Sequence, residues 1–519
     1  SQAIANYMGT FGSHNLTVMA GFENYYMKSE SLGAARDKYE LTGYPYLNIG
    51  SEDFQTNSGT GSEYTSNSVF GRVIYSYADR YLFQANVRHD GSSRFAKGYR
   101  WGTFPSFSAG WVASEEKFMK NLKWDWLSFL KLRGSWGMLG NERIGSNYFP
   151  YIALMSFGNS LFYMADGSVV SDKTARPAVL AVEDITWETT TSTDLGLDVN
   201  FLNNRLQFHF DYYWKETKDM LLNIEIPYFM GYNNPSTNAG KMSTHGYDIE
   251  VAWNDQIGDF KYGVNVNFSD FLSKIDYMND GEQISGGKIK RAGVLFNEFY
   301  GYVCEGIYQT QEEVNNSART STTVTVGDLK YRDISGPDGV PDGVISPEYD
   351  RVPLGNSLPR FQYGGSLNAS YKGIDFSLAF QGIGKQNSYL STSMVQPLRD
   401  NYGNVPAILE GKYWSPFNTT EENLAAKYPR LSNVSKSNNY ATSNFWMFNG
   451  SYFRLKNITL GYTLPKSWTQ KAGINRARFY VSGSDLFCLS NFPSGWDPEM
   501  GTSDYPITTS LVMGIQVNF

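Results

Sequence analysis

The last eleven residues of the chain read Thr509-Ser510-Leu511-Val512-Met513-Gly514-Ile515-Gln516-Val517-Asn518-Phe519. Successive side chains of a β-strand point to opposite sides, so one face of this stretch would carry Leu511, Met513, Ile515, Val517 and Phe519. The other face would carry Gly514, Gln516 and Asn518. An apolar outer face, a small or polar inner face and a terminal aromatic residue are typical of the closing strand of a membrane-spanning β-barrel. A strand of a soluble β-sandwich can show the same alternation, so the interpretation depends on whether the pattern recurs.

The same alternation recurs along most of the chain. Apolar side chains occupy every second position, or nearly so, within residues 16–22, 69–77, 81–87, 130–136, 195–201, 206–214, 247–253, 262–268, 361–371, 374–380, 453–462 and 479–486. The period slips at Asn457, which predicts a β-bulge. Together with residues 1–10 and the terminal stretch, the pattern predicts an all-β fold, a transmembrane antiparallel β-barrel with about fifteen spanning strands.

The connections between these segments alternate in length. Short turns are expected at residues 78–80, 203–204, 254–259 and 372–373, and long polar and aromatic loops at residues 33–67, 140–188, 273–359 and 385–450. Short turns on one rim and long loops on the other are the arrangement of outer-membrane barrels, whose short turns face the periplasm. Residues 115–129 have helical character and are expected to form a periplasmic helix. Residues 296–308 would break the alternation, so we expect them in a structured external loop.

Composition agrees with one large sheet. The 519 residues are 41% hydrophobic and 18% charged, and the aromatic share of 16% fits a barrel with aromatic girdles at two water–lipid interfaces. No run of about 18 apolar residues occurs, so no transmembrane helix is expected. A formal net charge of -7 gives no reason to expect a nucleic-acid partner. The two cysteines, Cys304 and Cys488, are too few for a disulfide framework, and whether they pair is left open.

An odd number of strands cannot close a single-chain bacterial barrel whose turns alternate between two rims. The chain also begins without a methionine or a signal peptide, at residues that already have a strand pattern. We therefore expect residues 1–519 to be the C-terminal portion of a longer barrel, with the first strands upstream of Ser1.

Several motifs resemble those of SusC/RagA-type TonB-dependent transporters, and they follow in the family's order over nearly the whole chain. They are Arg88-His89-Asp90-Gly91-Ser92-Ser93-Arg94-Phe95, Phe104-Pro105-Ser106-Phe107-Ser108-Ala109-Gly110-Trp111, Lys131-Leu132-Arg133-Gly134-Ser135-Trp136-Gly137, Thr186-Trp187-Glu188, Asp211-Tyr212-Tyr213, Asn238-Ala239-Gly240, Gly450-Ser451-Tyr452-Phe453-Arg454-Leu455-Lys456-Asn457 and Trp496-Asp497-Pro498-Glu499-Met500.

The resemblance implies a barrel of twenty-two strands in the outer membrane of Bacteroidetes, filled by an N-terminal plug domain. It also implies import of nutrients, with a SusD-like lipoprotein over the external mouth and energy from TonB–ExbB–ExbD. On this basis the plug and about seven strands would lie upstream of Ser1.

One acidic loop has the composition of a cation site. Residues 328–350 alternate carboxylates with glycines, as an oxygen-coordinated cation such as Ca²⁺ requires. The candidate ligands are Asp333, Ser335, Asp338, Asp342 and Asp350. The loop departs from the family form Asp-x-Asn-Gly-Asp-Gly at Ser335 and Pro337. The alternative is a solvated acidic loop whose glycines serve only its turns.

Aromatic residues of the long loops are candidate substrate contacts, because ring faces stack on sugars or accept peptide side chains. The candidates are Tyr413, Trp414, Phe417, Trp446 and Tyr163. Their alternative roles are packing within the loops and docking onto the lipoprotein. No catalytic constellation is predicted, since none of the four histidines has a partner at metal-ligand spacing.

The sequence therefore favours an outer-membrane, TonB-dependent importer of oligomeric nutrients rather than an enzyme. The resemblance favours a glycan or oligosaccharide as the ligand. A peptide importer of the same family, a passive porin and a soluble adhesive β-protein are the alternatives.

Overall fold

The computed structural model describes residues 1–122, 124–144, 148–153, 155–279, 281–390, 395–397, 404–501 and 505–519. Along the chain, its strands are β1 (Gln2–Phe11), β2 (His14–Arg36), β3 (Gln55–Tyr77), β4 (Tyr81–Ser92), β5 (Trp101–Val112), β6 (Leu127–Asn141), β7 (Met155–Tyr163), β8 (Val169–Pro177), β9 (Glu188–Phe201), β10 (Leu206–Asn223), β11 (Ser236–Ile257), β12 (Phe260–Met278), β13 (Glu282–Ser285), β14 (Lys288–Arg291), β15 (Glu298–Tyr302), β16 (Cys304–Ile307), β17 (Leu329–Tyr331), β18 (Arg351–Asn356), β19 (Arg360–Tyr371), β20 (Ile374–Lys385), β21 (Asn387–Tyr389), β22 (Met447–Asn449), β23 (Tyr452–Thr463), β24 (Arg476–Ser490) and β25 (Ser510–Asn518).

The helices of the described chain are short. The α-helices are α1 (Lys117–Asn121), α2 (Gln311–Asn315), α3 (Thr420–Leu424), α4 (Lys436–Asn439) and α5 (Lys466–Thr469). Single turns of 3-10 helix occupy Leu47–Ile49, Glu52–Phe54, Ala113–Glu115, Tyr228–Met230, Ala407–Leu409, Asn444–Trp446 and Gln470–Ala472. Among the described residues, no helix is both long and apolar enough to cross a membrane.

One antiparallel sheet of fifteen strands organises the molecule. Its hydrogen-bonded order is β1-β2-β3-β4-β5-β6-β9-β10-β11-β12-β19-β20-β23-β24-β25, so each strand pairs with the next spanning strand along the chain. Strands β1 and β25 are the two ends of this order. The remaining strands form four small sheets, which are β7-β8, β13-β14-β15-β18, β16-β17 and β21-β22.

The two faces of the large sheet differ in polarity as the alternation predicts. On β25, Leu511, Met513 and Ile515 expose between 64% and 73% of their surface. Between β12 and β19, Val266 lies opposite Gly365 and Asn267 lies opposite Gly364, so apolar and polar positions stay in phase across the pair. The apolar face is the outer wall of the predicted barrel and the polar face is its inner wall.

Several local predictions are confirmed. A short helix, α1, lies within residues 115–129. The register of β23 shifts between Leu455 and Asn457, which is the predicted β-bulge. Residues 296–308 lie in small external sheets rather than in the spanning sheet. Cys304 and Cys488 are both free, so the question of a disulfide is settled.

Two predicted bounds are wrong, and one strand has no counterpart among the predicted segments. About half of residues 33–67 is strand rather than loop, because β2 and β3 are 23 residues each and pair as far as Arg36 and Gln55. This extension cannot be recognised from alternation, because its residues are polar and glycine-rich. A segment beyond the lipid needs no apolar face. Residues 254–257 continue β11 rather than turning. Strand β5 was not predicted, because it shows no clear alternation: Phe104 lies on the inner face among serines and glycines.

Two long connections fold together outside the sheet. The described parts of residues 279–359 and 386–450 form what we call the external loop body. One of its cores contains Tyr302, Leu329, Tyr331 and Ile345, and a second contains Leu390, Val395, Tyr440 and Trp446. Phe445 packs against both cores and thereby joins the two connections.

Neighbouring positions of β19 test which face meets lipid. Leu367→Lys in the full-length protein would place an ammonium on the outer wall, at a cost of about 2–4 kcal/mol near the bilayer midplane. Asn368→Lys places the same group on the inner wall and should change the free energy of unfolding much less. Urea unfolding in lipid vesicles measures both. Equal destabilisation by the two variants would contradict the assignment of the faces.

Candidate functional site: inner wall and external loop body

Charged side chains on the inner wall of β6, β9 and β10 form one network around Arg133. The guanidinium donates to Asp211 Oδ2 at 2.6 Å and to Asp198 Oδ1 at 3.2 Å, and it lies 3.6 Å from Asp194. Gly196 allows this position, because a Cβ there would lie 2.4 Å from Arg133 Cζ. The network thus joins three adjacent strands through charged groups that face the interior of the barrel.

A second inner-wall network lies at the external end of β23. Arg454 exposes 3% of its side chain and donates to both carboxylate oxygens of Asp497 at 2.7 Å. It also pairs with Glu499, and Lys456 lies 2.7 Å from Asp485. The Trp496-Asp497-Pro498-Glu499-Met500 motif is therefore held against the wall by ion pairs.

The external loop body is closed by a buried ion pair. The Asp328 side chain is fully buried, and Arg430 Nε donates to its Oδ1 at 2.7 Å. Asn439 Nδ2 donates to the same oxygen at 2.9 Å, and the Thr325 backbone N–H donates to Oδ2 at 2.9 Å. Because Asp328 belongs to the first connection and Arg430 to the second, this pair fixes one connection against the other.

Two phenols of the external loop body add no charge. Burial raises the pKa of Tyr389 to about 12. Burial and the nearby Asp328 carboxylate also raise the pKa of Tyr440. Both phenols are therefore neutral at physiological pH, and Arg430 is the cation that balances Asp328.

The structure gives the five predicted aromatic contacts different surroundings. Trp446 is 1% exposed, stacks between Tyr428 and Tyr440, and donates its indole N–H to Asn439 O at 2.8 Å. Trp414 and Tyr413 are partly buried. Phe417 and Tyr163 are 96% and 84% exposed. Packing is thus the observed role of Trp446, while substrate contact remains a prediction that Phe417 and Tyr163 satisfy best.

A rigid turn presents Phe417 to solvent. The Ser415 backbone N–H donates to Asn423 Oδ1 at 3.0 Å, and Asn418 Nδ2 donates to the Tyr413 carbonyl at 3.1 Å. Thr419 and Glu422 form a capping box at the start of α3. Since these bonds fix the backbone on both sides, little conformational entropy remains to be lost when the ring contacts a ligand.

The acidic loop uses several of its carboxylates internally. Asp350 accepts backbone N–H bonds from Ile334 at 2.7 Å, Ser335 at 3.2 Å and Ser346 at 2.7 Å. Asp333 accepts from Gly343 and Asp342 accepts from Val344, while Asp338 is exposed. Within the residues that the structure describes, no three His, Cys, Asp or Glu side chains group to hold a metal ion. The Ca²⁺ site remains a prediction.

Sequence reasoning missed the two networks that hold the external side together. Asp328 lies in the candidate cation loop, yet it pairs with Arg430, 102 residues away along the chain. In the sequence, Arg454 stands out only as part of a motif. In both cases the sequence shows an arginine close to aromatic residues, but the carboxylate that pairs with it cannot be identified from spacing.

The two-faced sheet with external loops defines the class, an outer-membrane β-barrel protein. Comparison with known proteins gives the family. Residues 2–482 match the model described as TonB dependent receptor-like, beta-barrel, and the chain belongs to this family. Within it, the chain is of the SusC/RagA type.

Named relatives are similar over the whole chain. TonB-dependent receptor P3 of Formosa agariphila is 30% identical over 100% of the chain and 52% of the relative. TonB-dependent receptor SusC of Bacteroides thetaiotaomicron is 28% identical over 99% of the chain and 49% of the relative. The RagAB peptide transporter superposes with a TM-score of 0.81 at 23% identity, over 100% of this chain and 55% of that one. The chain spans about half the length of these proteins.

Removing the Arg430 guanidinium should open the external loop body. Arg430→Met leaves the Asp328 carboxylate buried without a counter-charge, which costs about 3–5 kcal/mol. Hydrogen exchange should then accelerate in β16, β17 and α4 while β12 and β19 stay protected. Lys330→Met is the matched control, because its partly exposed pair with Glu313 contributes at most about 1 kcal/mol. Unchanged exchange in Arg430→Met would refute the role of the pair.

Proposed function

We propose that this chain forms the wall and external loops of a TonB-dependent importer of oligomeric nutrients. The observation that carries the proposal is the combination of a polar, groove-bearing inner wall with a folded loop body on the same rim as the exposed aromatic rings. A wall that only closed a core would be packed with apolar side chains, whereas this one offers hydroxyl, amide and charged groups. Transport, rather than catalysis, is what such a surface supports.

A glycan is the favoured ligand and a peptide is the second candidate. The exposed rings of Tyr163 and Phe417 suit the apolar faces of sugar rings, but they also suit peptide side chains. The RagAB protein, which has the same fold, is a peptide transporter by name. This likeness supports the peptide alternative, so the two ligand classes have to be compared directly.

The proposed importer needs parts beyond the described sheet. Strands β1 and β25 have a partner on one side only, and unpaired strand edges are not stable in lipid. We propose that further strands join these edges, that a plug domain fills the interior, and that a SusD-like lipoprotein covers the loops. Energy would come from TonB–ExbB–ExbD.

The test is uptake by cells expressing the full-length receptor with its lipoprotein. Labelled oligosaccharides and labelled peptides are offered in parallel, with and without a protonophore. Saturable oligosaccharide uptake that stops when the proton-motive force collapses is the expected result. Uptake of peptides alone would show that the ligand is a peptide rather than a glycan. Uptake that continues in the presence of the protonophore would identify a passive porin.

Phe417→Ala should weaken ligand binding without destabilising the protein. An exposed ring on a rigid turn contributes to contact rather than to packing, so the loss is about 1–2 kcal/mol, or roughly five- to thirtyfold in affinity. Isothermal titration of the receptor–lipoprotein complex measures it. Leu424→Ala, which removes an exposed aliphatic side chain from the adjacent α3, is the control. Equal affinity in the Phe417→Ala and Leu424→Ala variants would remove Phe417 from the binding site.

A further inference from the structure

Part of the inner wall carries no charge over the middle of five consecutive strands, β12, β19, β20, β23 and β24. The register places on this face Asn265, Asn267, Ser269, Gln362, Gly364, Ser366, Asn368, Ser370, Ser377, Ala379, Gln381, Asn457, Thr459, Ser482 and Ser484, all of which the structure describes. We call this surface the neutral wall.

The neighbouring strands present the opposite character. Between β2 and β11 the inner face carries Glu23, Arg72, Arg88, Asp90, Lys131, Arg133, Asp194, Asp198, Asp211, Lys215, Asp248 and Glu250. We call this surface the charged wall. The two surfaces meet where Asn265 Nδ2 donates to Glu250 Oε1 at 2.6 Å.

Among the described residues, charged groups flank the neutral wall at its two ends. At the external end they are Arg454, which lies opposite Gln381 on the inner face, and its partners Asp497 and Glu499. Arg478 Nε donates to Asp375 Oδ1 at 2.9 Å at the periplasmic end, where Lys261 also lies. Most of these charges are paired within the protein, so their net electric field on a passing uncharged solute is weak.

Two open grooves follow one another along the neutral wall. The external groove has a volume of about 510 Å³ and is lined by Asn267, Gln362, Ser366 and Gln381 among others. The periplasmic groove has a volume of about 680 Å³ and combines the uncharged Asn368, Ser370 and Ser377 with four charged residues at the periplasmic end, which are Arg205, Asp255, Lys261 and Asp375. Both contact β12, β19 and β20, at successive positions between the external and the periplasmic end of these strands.

Gly364 leaves space in the external groove. It lies on the inner face opposite Asn267 and Gln381, and a Cβ there would lie 3.1 Å from Asn267 Oδ1. Around this glycine, the side chains of Asn267, Gln362 and Ser366 have no hydrogen-bond partner in the described protein. Their amide and hydroxyl groups are therefore free to bond a solute.

We infer that the neutral wall is the surface along which the imported solute passes, and that it suits an uncharged, hydroxyl-rich oligomer. The inference rests on the proposed function. A neutral hydrogen bond contributes about 0.5–1.5 kcal/mol net and one to a charged group about 1.5–3 kcal/mol. Many weak, equivalent contacts let a solute bind and move on, whereas strong contacts would hold it. For the same reason, a plug separates from the neutral wall more readily than from the charged wall.

The experiment compares reactivity of single cysteines in the full-length receptor in cells. In a C304S/C488S background, Ser366→Cys reports on the neutral wall and Ser108→Cys reports on the groove of the charged wall; both serines are partly buried and lie mid-strand. An uncharged maleimide is applied with and without a protonophore. We expect the proton-motive force to raise labelling of Ser366→Cys several-fold and to leave Ser108→Cys unchanged. Ser377→Cys and Gln84→Cys repeat the comparison at independent positions.

The outcomes separate the path from the function. Energy-dependent labelling on the charged wall alone, or equally on both walls, would overturn the neutral path. Labelling that ignores the proton-motive force at all four positions would instead overturn the TonB-dependent function on which the inference rests. Uptake assays of the same variants show whether each receptor is assembled and active.

Discussion

The structure depends on one sheet separating hydrocarbon from water. Each backbone group left unpaired in lipid costs several kcal/mol, so the strands must pair along their spanning length. Once the ladder is complete, only side chains distinguish the two sides. Apolar residues such as Val266 and Leu367 face outward, and the polar groups beside them face inward. Charge on the inner face is permitted, and Arg133 shows how it is arranged, with one guanidinium shared among carboxylates of adjacent strands.

Outside the membrane, the external loop body is surrounded by water and must bury its own apolar side chains. It does so in small apolar cores, which the Asp328–Arg430 pair holds together. The same connection contains the hydrogen-bonded turn that exposes Phe417 and the buried Trp446, which stacks between Tyr428 and Tyr440. Aromatic residues of one connection thus have opposite exposure.

The spanning strands could be predicted from sequence because lipid imposes a period of two on residues such as those of β12 and β25. The prediction of strands failed where contact with lipid imposes no alternation. The upper parts of β2 and β3 lie in water and keep no apolar face, and β5 places Phe104 inward. In the site, Phe417 and Trp446 look equivalent in sequence, since exposure follows from packing between connections far apart in the chain. The neutral wall likewise emerges only when the register aligns five strands.

The length of β2 and β3 has a consequence at the cell surface. Residues 25–36 of β2 and 55–65 of β3 pair only with each other among the described strands. They form a ribbon that ends in residues 37–54. A strand of 23 residues measures roughly 75 Å, and even tilted by about 45° it rises well above an apolar band of about 25 Å. The ribbon tip is therefore held well outside the membrane, apart from the rest of the sheet.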